Sequence, residues 1–369
     1  MKTLENIKWK ELTTIDNFTE PSRLIISNPL LYKRIKIKLD AFIEFLLFNQ
    51  MGNSDLTIFS YLREIGFLIN TNEEPETENL DSILHWFKRG WYDSLIYYVW
   101  SKKVKFIDDE DYSGDLRRGL INAYLSENSL PDRIVESLEF TKIKMPIPKN
   151  VGLEEVNLKN VLLGRRTTRI FQNESMKLED FSSILWNALS RVRHVRNLSY
   201  EDPLDYFASH GTEFDFYVIA YNINHLQNGI YLYDVKDHFL SELKSGDFRE
   251  EMIHNLWWHQ APKTANFTIL FVTDFEQYQW RYRHERALRN IFIEAGRIAQ
   301  RLIFEAERMG FGSLPTPATR DSSFDKMLSL KRNKQFVLYT ITVGKKPSPS
   351  LLMDNTSSNI LNLQWVNEI

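Results

Sequence analysis

The sequence predicts an α+β fold with a mainly helical N-terminal part, and three observations carry that prediction. Strand-like runs at 214–223, 228–235, 266–275 and 335–344 are alternating or continuously apolar and are bounded by turn signals. Between them, 283–309 carries Leu288, Phe292, Ala295, Ala299, Leu302, Ile303, Ala306 and Met309 on one helical stripe. Before residue 76 the spacing is helical instead, so the chain divides into an N-terminal domain, 1–150, and a second domain, 151–369.

In the N-terminal domain, 36–52 reads as a helix with Ile37, Leu39, Phe42, Phe45 and Leu46 on one side and Gly52 as its stop. Residues 54–70 offer Ser54 as a cap, then Ile58, Tyr61, Leu62 and Ile65, a break at Gly66 and a short strand. Helix, turn, helix and strand in that order suit a winged-helix-like unit. The polar stretch 71–82 is a connection. The Trp- and Tyr-rich segment 85–106 reads first as packing between the N-terminal part and the second domain, and secondarily as a peptide contact. In the second domain, "LKNVLLG" is a short helix closed by Gly164, and 175–189 is a helix with Ser175 as its cap. The sequence "FGSLPTPATRD", 311–321, reads as a loop, followed by a short helix at 324–330.

Composition excludes several functions. The 369 residues hold no cysteine, which removes disulfides, iron–sulfur clusters and thiol nucleophiles together. A net charge of −3 gives no reason to expect nucleic acid or an anionic membrane as partner. The charged N-terminus lacks a signal-peptide core and no apolar run is long enough to span a bilayer, so a cytoplasmic protein is expected. There is no GxSxG, Walker loop, GxGxxG or HExxH, and His254 and His259 are spaced wrongly for a shared metal. At 13% aromatic residues, the chain leans toward binding flat ligands or peptides.

What remains is an ordered series. "GRRTTRIF", 164–171, gathers Arg165, Arg166 and Arg169 beside Thr167 and Thr168, a set of guanidinium forks and hydroxyls suited to an anion. "YFASHGTEFDFYV", 206–218, is a small-residue turn feeding a strand. "WRYRHERALRNIFIEAGRIAQRLIFEAERMGFGSLPTP", 280–317, is a cationic lead-in to the long helix, and "VGKKP" follows the last strand.

This order, over about 155–346, resembles the FMN-dependent nitroreductase family, whose fold is a central, mostly antiparallel sheet flanked by helices. "NGIYLYDVKDHFLSELKSGDFREEM" and "RALRNIFIEAG" are similar to the branch of SagB-type dehydrogenases, which oxidise thiazoline and oxazoline rings of peptide natural products to thiazoles and oxazoles. The resemblance implies FMN as cofactor, with Arg165 at its phosphate, Arg169 at its ring edge, and Arg166 and Thr167 beside them. It further implies flavin contacts from Ser209, His210 and Gly211, a backbone N–H near N5 from the loop of Leu314, Pro315 and Thr316, in which the proline has none to give, and Lys345 or Lys346 at the phosphate. It implies a homodimer built on the 283–309 helix, a peptide or carrier-bound peptide substrate, and other enzymes of a biosynthetic complex as partners. The sequence departs from the branch at two places where substrate chemistry occurs: Arg281–Tyr282 stands for a Lys-Tyr pair, and Ala208–Ser209–His210–Gly211 for Pro-Ser-Gly-Gly.

Azoline oxidation removes a hydride and a proton, so a base is needed besides the flavin. Tyr282 is the candidate, with Arg281, Arg283 and Arg286 near it in sequence, and His210 and His284 are alternatives. The bland readings stand alongside: the 283–309 stripe is first a core stripe, and Arg283, Arg286 and Arg289 can pair with Glu285 and Glu294 on a solvated face. Two other functions fit the same residues, an NAD(P)H-dependent reductase of nitro compounds, quinones or enones, and a non-catalytic scaffold.

Overall fold

The computed structural model describes residues 165–197 and 210–347 without interruption, and before them 7–9, 13–16, 23–28, 33–43, 57–70, 85–86, 89–102, 106, 110–131, 141–148, 159 and 161–162. The chain forms two compact units, Met1–Ile107 and Asp108–Ile369.

The first unit holds, in chain order, β1 (Ile7–Trp9), β2 (Thr14–Asp16), β3 (Arg23–Asn28), β4 (Lys33–Lys38), α1 (Thr57–Glu64), β5 (Leu68–Asn70) and α2 (Tyr92–Ser101). Strands β2, β3 and β4 form one antiparallel sheet, and β1 pairs with β5. It is therefore richer in strand than its helical spacing suggests. The expected helix at 36–52 begins as β4 because "KRIKIK" alternates, turning Ile35 and Ile37 to the core and leaving Arg34, Lys36 and Lys38 exposed. Helix begins only at 39–43, and 44–56, with the expected cap Ser54, lies outside the described residues. Leu62 of α1 is fully buried against Leu24, Ile26 and Phe67, whereas Tyr61 faces outward; Gly66, at φ 83°, ends the helix in the left-handed region. In the aromatic segment, Trp86 stacks on Tyr98 at 6.3 Å and the Arg34 guanidinium covers Trp100 at 4.8 Å, so these contacts lie within the first unit.

The second unit comprises α3 (Asp115–Glu127), β6 (Lys142–Lys144), α4 (Leu178–Ala188), α5 (Ser190–Asn197), β7 (Phe214–Ala220), β8 (Gly229–Asp234), β9 (Phe239–Ser245), α6 (Arg249–Asn255), β10 (Phe267–Asp274), α7 (Phe275–Arg281), α8 (Leu288–Arg308), β11 (Phe311–Thr316), α9 (Asp321–Leu328) and β12 (Gln335–Lys345). It begins before residue 151 for two physical reasons: β6 is the outer strand beside β9, and Tyr124 of α3 packs on Trp280 of α7 at 5.6 Å. The seven strands run β11-β12-β10-β7-β8-β9-β6, every pair antiparallel. Alternation along β7 divides the core. Phe214, Phe216 and Val218 meet α4 and α8 on one face, while Tyr217 and Ile219 meet Met252 of α6, Leu256 just after it and Phe324 of α9 on the other.

Three local expectations are corrected. Residues 311–316 are a strand rather than a loop, since Pro315, which has no N–H to donate, sits on an edge strand, where a missing ladder donor is tolerated. Helix α4 starts at Leu178 behind Lys177, without a side-chain cap and not at Ser175, although Glu179 and Asp180 occupy its first turn as expected. Helix α8 starts at Leu288 after a 3-10 turn at Glu285–Ala287; its buried face adds Ile291 and Ile298, and Phe292 is 55% exposed. Among the described residues no helix is long and apolar enough to cross a membrane, and no cluster of three or more potential metal ligands occurs.

A buried network holds 141–147 to the sheet. His238 Nε2 donates to Ser182 Oγ (2.8 Å), whose own hydrogen goes to the Pro146 carbonyl (2.5 Å), so Nδ1 accepts from the Tyr233 hydroxyl (2.7 Å). The ring is thus neutral, and burial with Arg193 nearby lowers its pKa from the ordinary 6.5. A depressed folded value means stability is complete above pH 6.5 and declines as pH falls below it and through the folded pKa. Thermal melts between about pH 8 and pH 5 should show a steeper loss for the wild type than for His238→Asn, which tolerates the φ of 56° there.

Candidate functional site

The arginine-rich segment is built onto the outer edge of the sheet. Thr167 forms a parallel bridge with Ser313 of β11, and the Thr168 N–H donates to the Ser313 carbonyl at 2.9 Å. Further on, Phe171 N–H donates to Thr264 Oγ1 (3.1 Å) and Gln172 N–H to the Lys345 carbonyl (3.0 Å). Two glycines allow the strand to lie this close. A Cβ on Gly312 would stand 2.5 Å from Thr168 Oγ1, and one on Gly344 would stand 2.8 Å from the Phe171 ring. The fold therefore brings the segment of Arg165, Arg166, Thr167 and Arg169 beside the strands of Leu314, Pro315, Thr316 and Lys345.

The electrostatics of this edge are asymmetric. Arg166 donates to the Arg165 carbonyl (2.9 Å), while the Arg165 and Arg169 guanidinium groups have no hydrogen-bond or ion-pair partner among the described residues. Lys345 is bound to Glu174, and Lys346 to Glu307 of α8 at 2.6 Å. The unsatisfied positive charge here thus belongs to the two arginines. Thr316 adds a buried hydroxyl with no partner among the described residues, while its carbonyl is taken by Thr340 Oγ1 at 2.9 Å. Uncommitted guanidinium donors and an orphaned buried hydroxyl on the adjacent strand fit an anionic ligand with polar ring atoms.

The other candidates occupy separate places in the same unit. His210 and Gly211 have φ of 46° and 88°, and the space against Gly211 is filled by Ile298 of α8 and Val192 of α5. Ser209 lies outside the described residues. Ile298 and Glu307 stand roughly 14 Å apart along α8, so the turn and the Lys346 contact flank one helix. Arg281 ends α7, and Tyr282 caps it, its N–H bonded to the Tyr278 carbonyl (3.0 Å) and its ring 4.8 Å from Tyr278. Arg283 is turned away onto the Tyr124 ring at 3.7 Å. The His284 ring lies 6.5 Å from Tyr282, and burial with Arg286 nearby holds its pKa below the ordinary value, leaving the imidazole neutral near pH 7 and able to take a proton. Thr264, Gly312 and Gly344 escaped sequence reasoning, because only the sheet register shows what they touch.

Comparison with known proteins shows what the chain is similar to. The nitroreductase family model matches residues 162–345. Trifolitoxin operon protein TfxC of Rhizobium leguminosarum bv. trifolii is 28% identical over 269 residues, 70% of this chain and 73% of that protein. Among solved structures, a candidate nitroreductase from Anabaena variabilis is 19% identical with a TM-score of 0.47, covering 62% of this chain and 47% of that one, so the chain spans less than half of its length. The E. coli microcin synthetase McbBCD complex with truncated pro-MccB17 bound matches at 14% identity and a TM-score of 0.39, covering 67% of this chain and 99% of that one.

Proposed function

Since residues 162–345 make this chain a member of the nitroreductase family, we propose that it is an FMN-dependent dehydrogenase that tailors a peptide natural product, oxidising thiazoline or oxazoline rings to thiazole or oxazole. The observation that carries this reading is the pair Arg165 and Arg169, fixed to β11 and holding no anion of the protein's own among the described residues. The relative named for a trifolitoxin operon supports a biosynthetic setting.

Bound FMN supplies a two-electron acceptor for hydride. The chain's residues do the rest. Arg165 and Arg169 would neutralise the phosphate and the electron-rich ring edge, and the Thr167 and Thr316 hydroxyls would complete their hydrogen bonds. The β11 backbone from Leu314 to Thr316 would line the ring. The substrate proton would go to Tyr282 Oη as the phenol passes its own proton on to the neutral His284 imidazole, whose ring lies 6.5 Å away. Phe292 and Ile293, 55% and 66% exposed on α8, support a homodimer through that helix.

The test is direct. Purified protein should carry flavin, and an azoline-containing peptide should lose two hydrogens per ring and reduce that flavin anaerobically. Tyr282→Phe should keep the flavin and lower kcat by about 10²–10⁴, the usual weight of a general base. Rapid flavin reduction by NADPH, with no reaction on azolines, would overturn the reading in favour of a reductase.

A further inference from the structure

The connection after α6 carries a feature that the flavin site does not use. Trp257 and Trp258 are consecutive, 55% and 61% exposed, and both in the left-handed region, at φ 55° and 67°. Bulky side chains seldom adopt that conformation, and glycine is the residue that normally occupies such a position after a helix. The strain is held in place by hydrogen bonds. Trp258 N–H reaches the Ile253 carbonyl at 2.8 Å, and Trp257 Nε1 reaches the Thr319 carbonyl at 3.1 Å.

Arg320 covers both indoles, its guanidinium 4.1 Å from the Trp257 ring and 5.7 Å from the Trp258 ring. Its Nε is fixed on the His254 carbonyl (2.9 Å), and its terminal nitrogens hold no carboxylate among the described residues. His254 packs edge-on against Trp258 at 5.3 Å. His259 and Lys263, just beyond the pair, likewise have no acidic partner there. The acid next in sequence to Arg320, Asp321, is engaged by Thr319 Oγ1 at 2.5 Å. The surface thus combines two rigid aromatic plates with an uncommitted guanidinium fork, the residue types that dominate binding energy at interfaces. It is also continuous with the flavin edge: Thr319 follows Thr316 by three residues, and Thr264, which binds Phe171 N–H, follows the pair on the other side.

We propose that Trp257, Trp258 and Arg320 form a docking surface for the peptide substrate, recognising an extended segment in which a carboxylate neighbours an apolar side chain. The carboxylate pairs with the terminal nitrogens of Arg320, and the apolar groups lie on the indoles. This deepens the peptide reading above and rests on it.

Isothermal titration of the full flavin-containing chain with acetyl-Leu-Glu-Leu-Glu-Leu-amide, and with the same peptide carrying Gln for Glu, tests it without turnover. The Glu peptide should bind at least tenfold more tightly than the Gln peptide. Trp257→Gly and Trp258→Gly should each weaken it at least tenfold while keeping flavin content and keeping or raising Tm, because glycine relieves the left-handed strain. Equal binding of the two peptides, binding unchanged in both variants, or no binding overturns the docking surface and leaves the flavin reading intact. A fall in Tm, or loss of self-association in sedimentation, overturns it too, making the pair a folding device or a contact between copies. Peptide binding by protein that never acquires flavin would instead sink the proposed chemistry and leave the surface standing.

Discussion

Arg165→Ala is expected to leave the protein folded and largely without flavin. The side chain is half-buried, and no hydrogen bond or ion pair of its guanidinium is lost among the described residues, so Tm should barely move. What disappears is a charge-assisted contact to the ligand anion, about 1.5–3 kcal/mol, or roughly 10- to 150-fold in flavin affinity. Flavin fluorescence titration measures this directly. Arg166→Ala is the internal control, since Arg166 spends a donor on the Arg165 carbonyl. If Arg165→Ala protein purified with the wild-type flavin ratio, the anion seat would have to be sought at Lys345 and Lys346. Both of those would first have to leave Glu174 and Glu307.

The second large effect is expected at a residue that touches no ligand. In Gly312→Ala the new methyl would lie 2.5, 2.7 and 2.8 Å from three atoms of Thr168. Thr168 cannot yield easily, because it is β-branched and its N–H is bonded to the Ser313 carbonyl next door. The arginine segment must then peel away from β11, costing about 1–3 kcal/mol of stability and releasing the flavin together with it. Adding Thr168→Gly should restore both, and a double-mutant cycle read by Tm and flavin content isolates the coupling. Additive losses would show that the two strands do not depend on each other.

Much of the second unit was legible because its signals are local. The period-two and continuous apolar runs marked β7, β8, β10 and β12, and the long stripe marked α8 to within a few residues. Errors arose where local signals competed. Gly312 and Pro315 made an edge strand look like a loop, and the helical run after residue 38 hid the alternation of β4. The tryptophans at 257 and 258 drew no reading, since nothing in their spacing reveals a positive φ or an arginine 62 residues beyond Trp258.

By itself, then, the amino-acid sequence determined the α+β class of the second unit, the order of its main elements, and the chemistry available for an anion at 165–169. These follow from side-chain periodicity and functional-group type, which neighbouring residues impose on one another. Only the tertiary structure decided which groups share a place. It laid the arginines on β11, committed Lys345 and Lys346 to carboxylates, filled the space at Gly211 with Ile298, and stacked Arg320 against two strained indoles. Such contacts join residues far apart in the chain, and they are set by sheet register and helix packing, which no local pattern encodes.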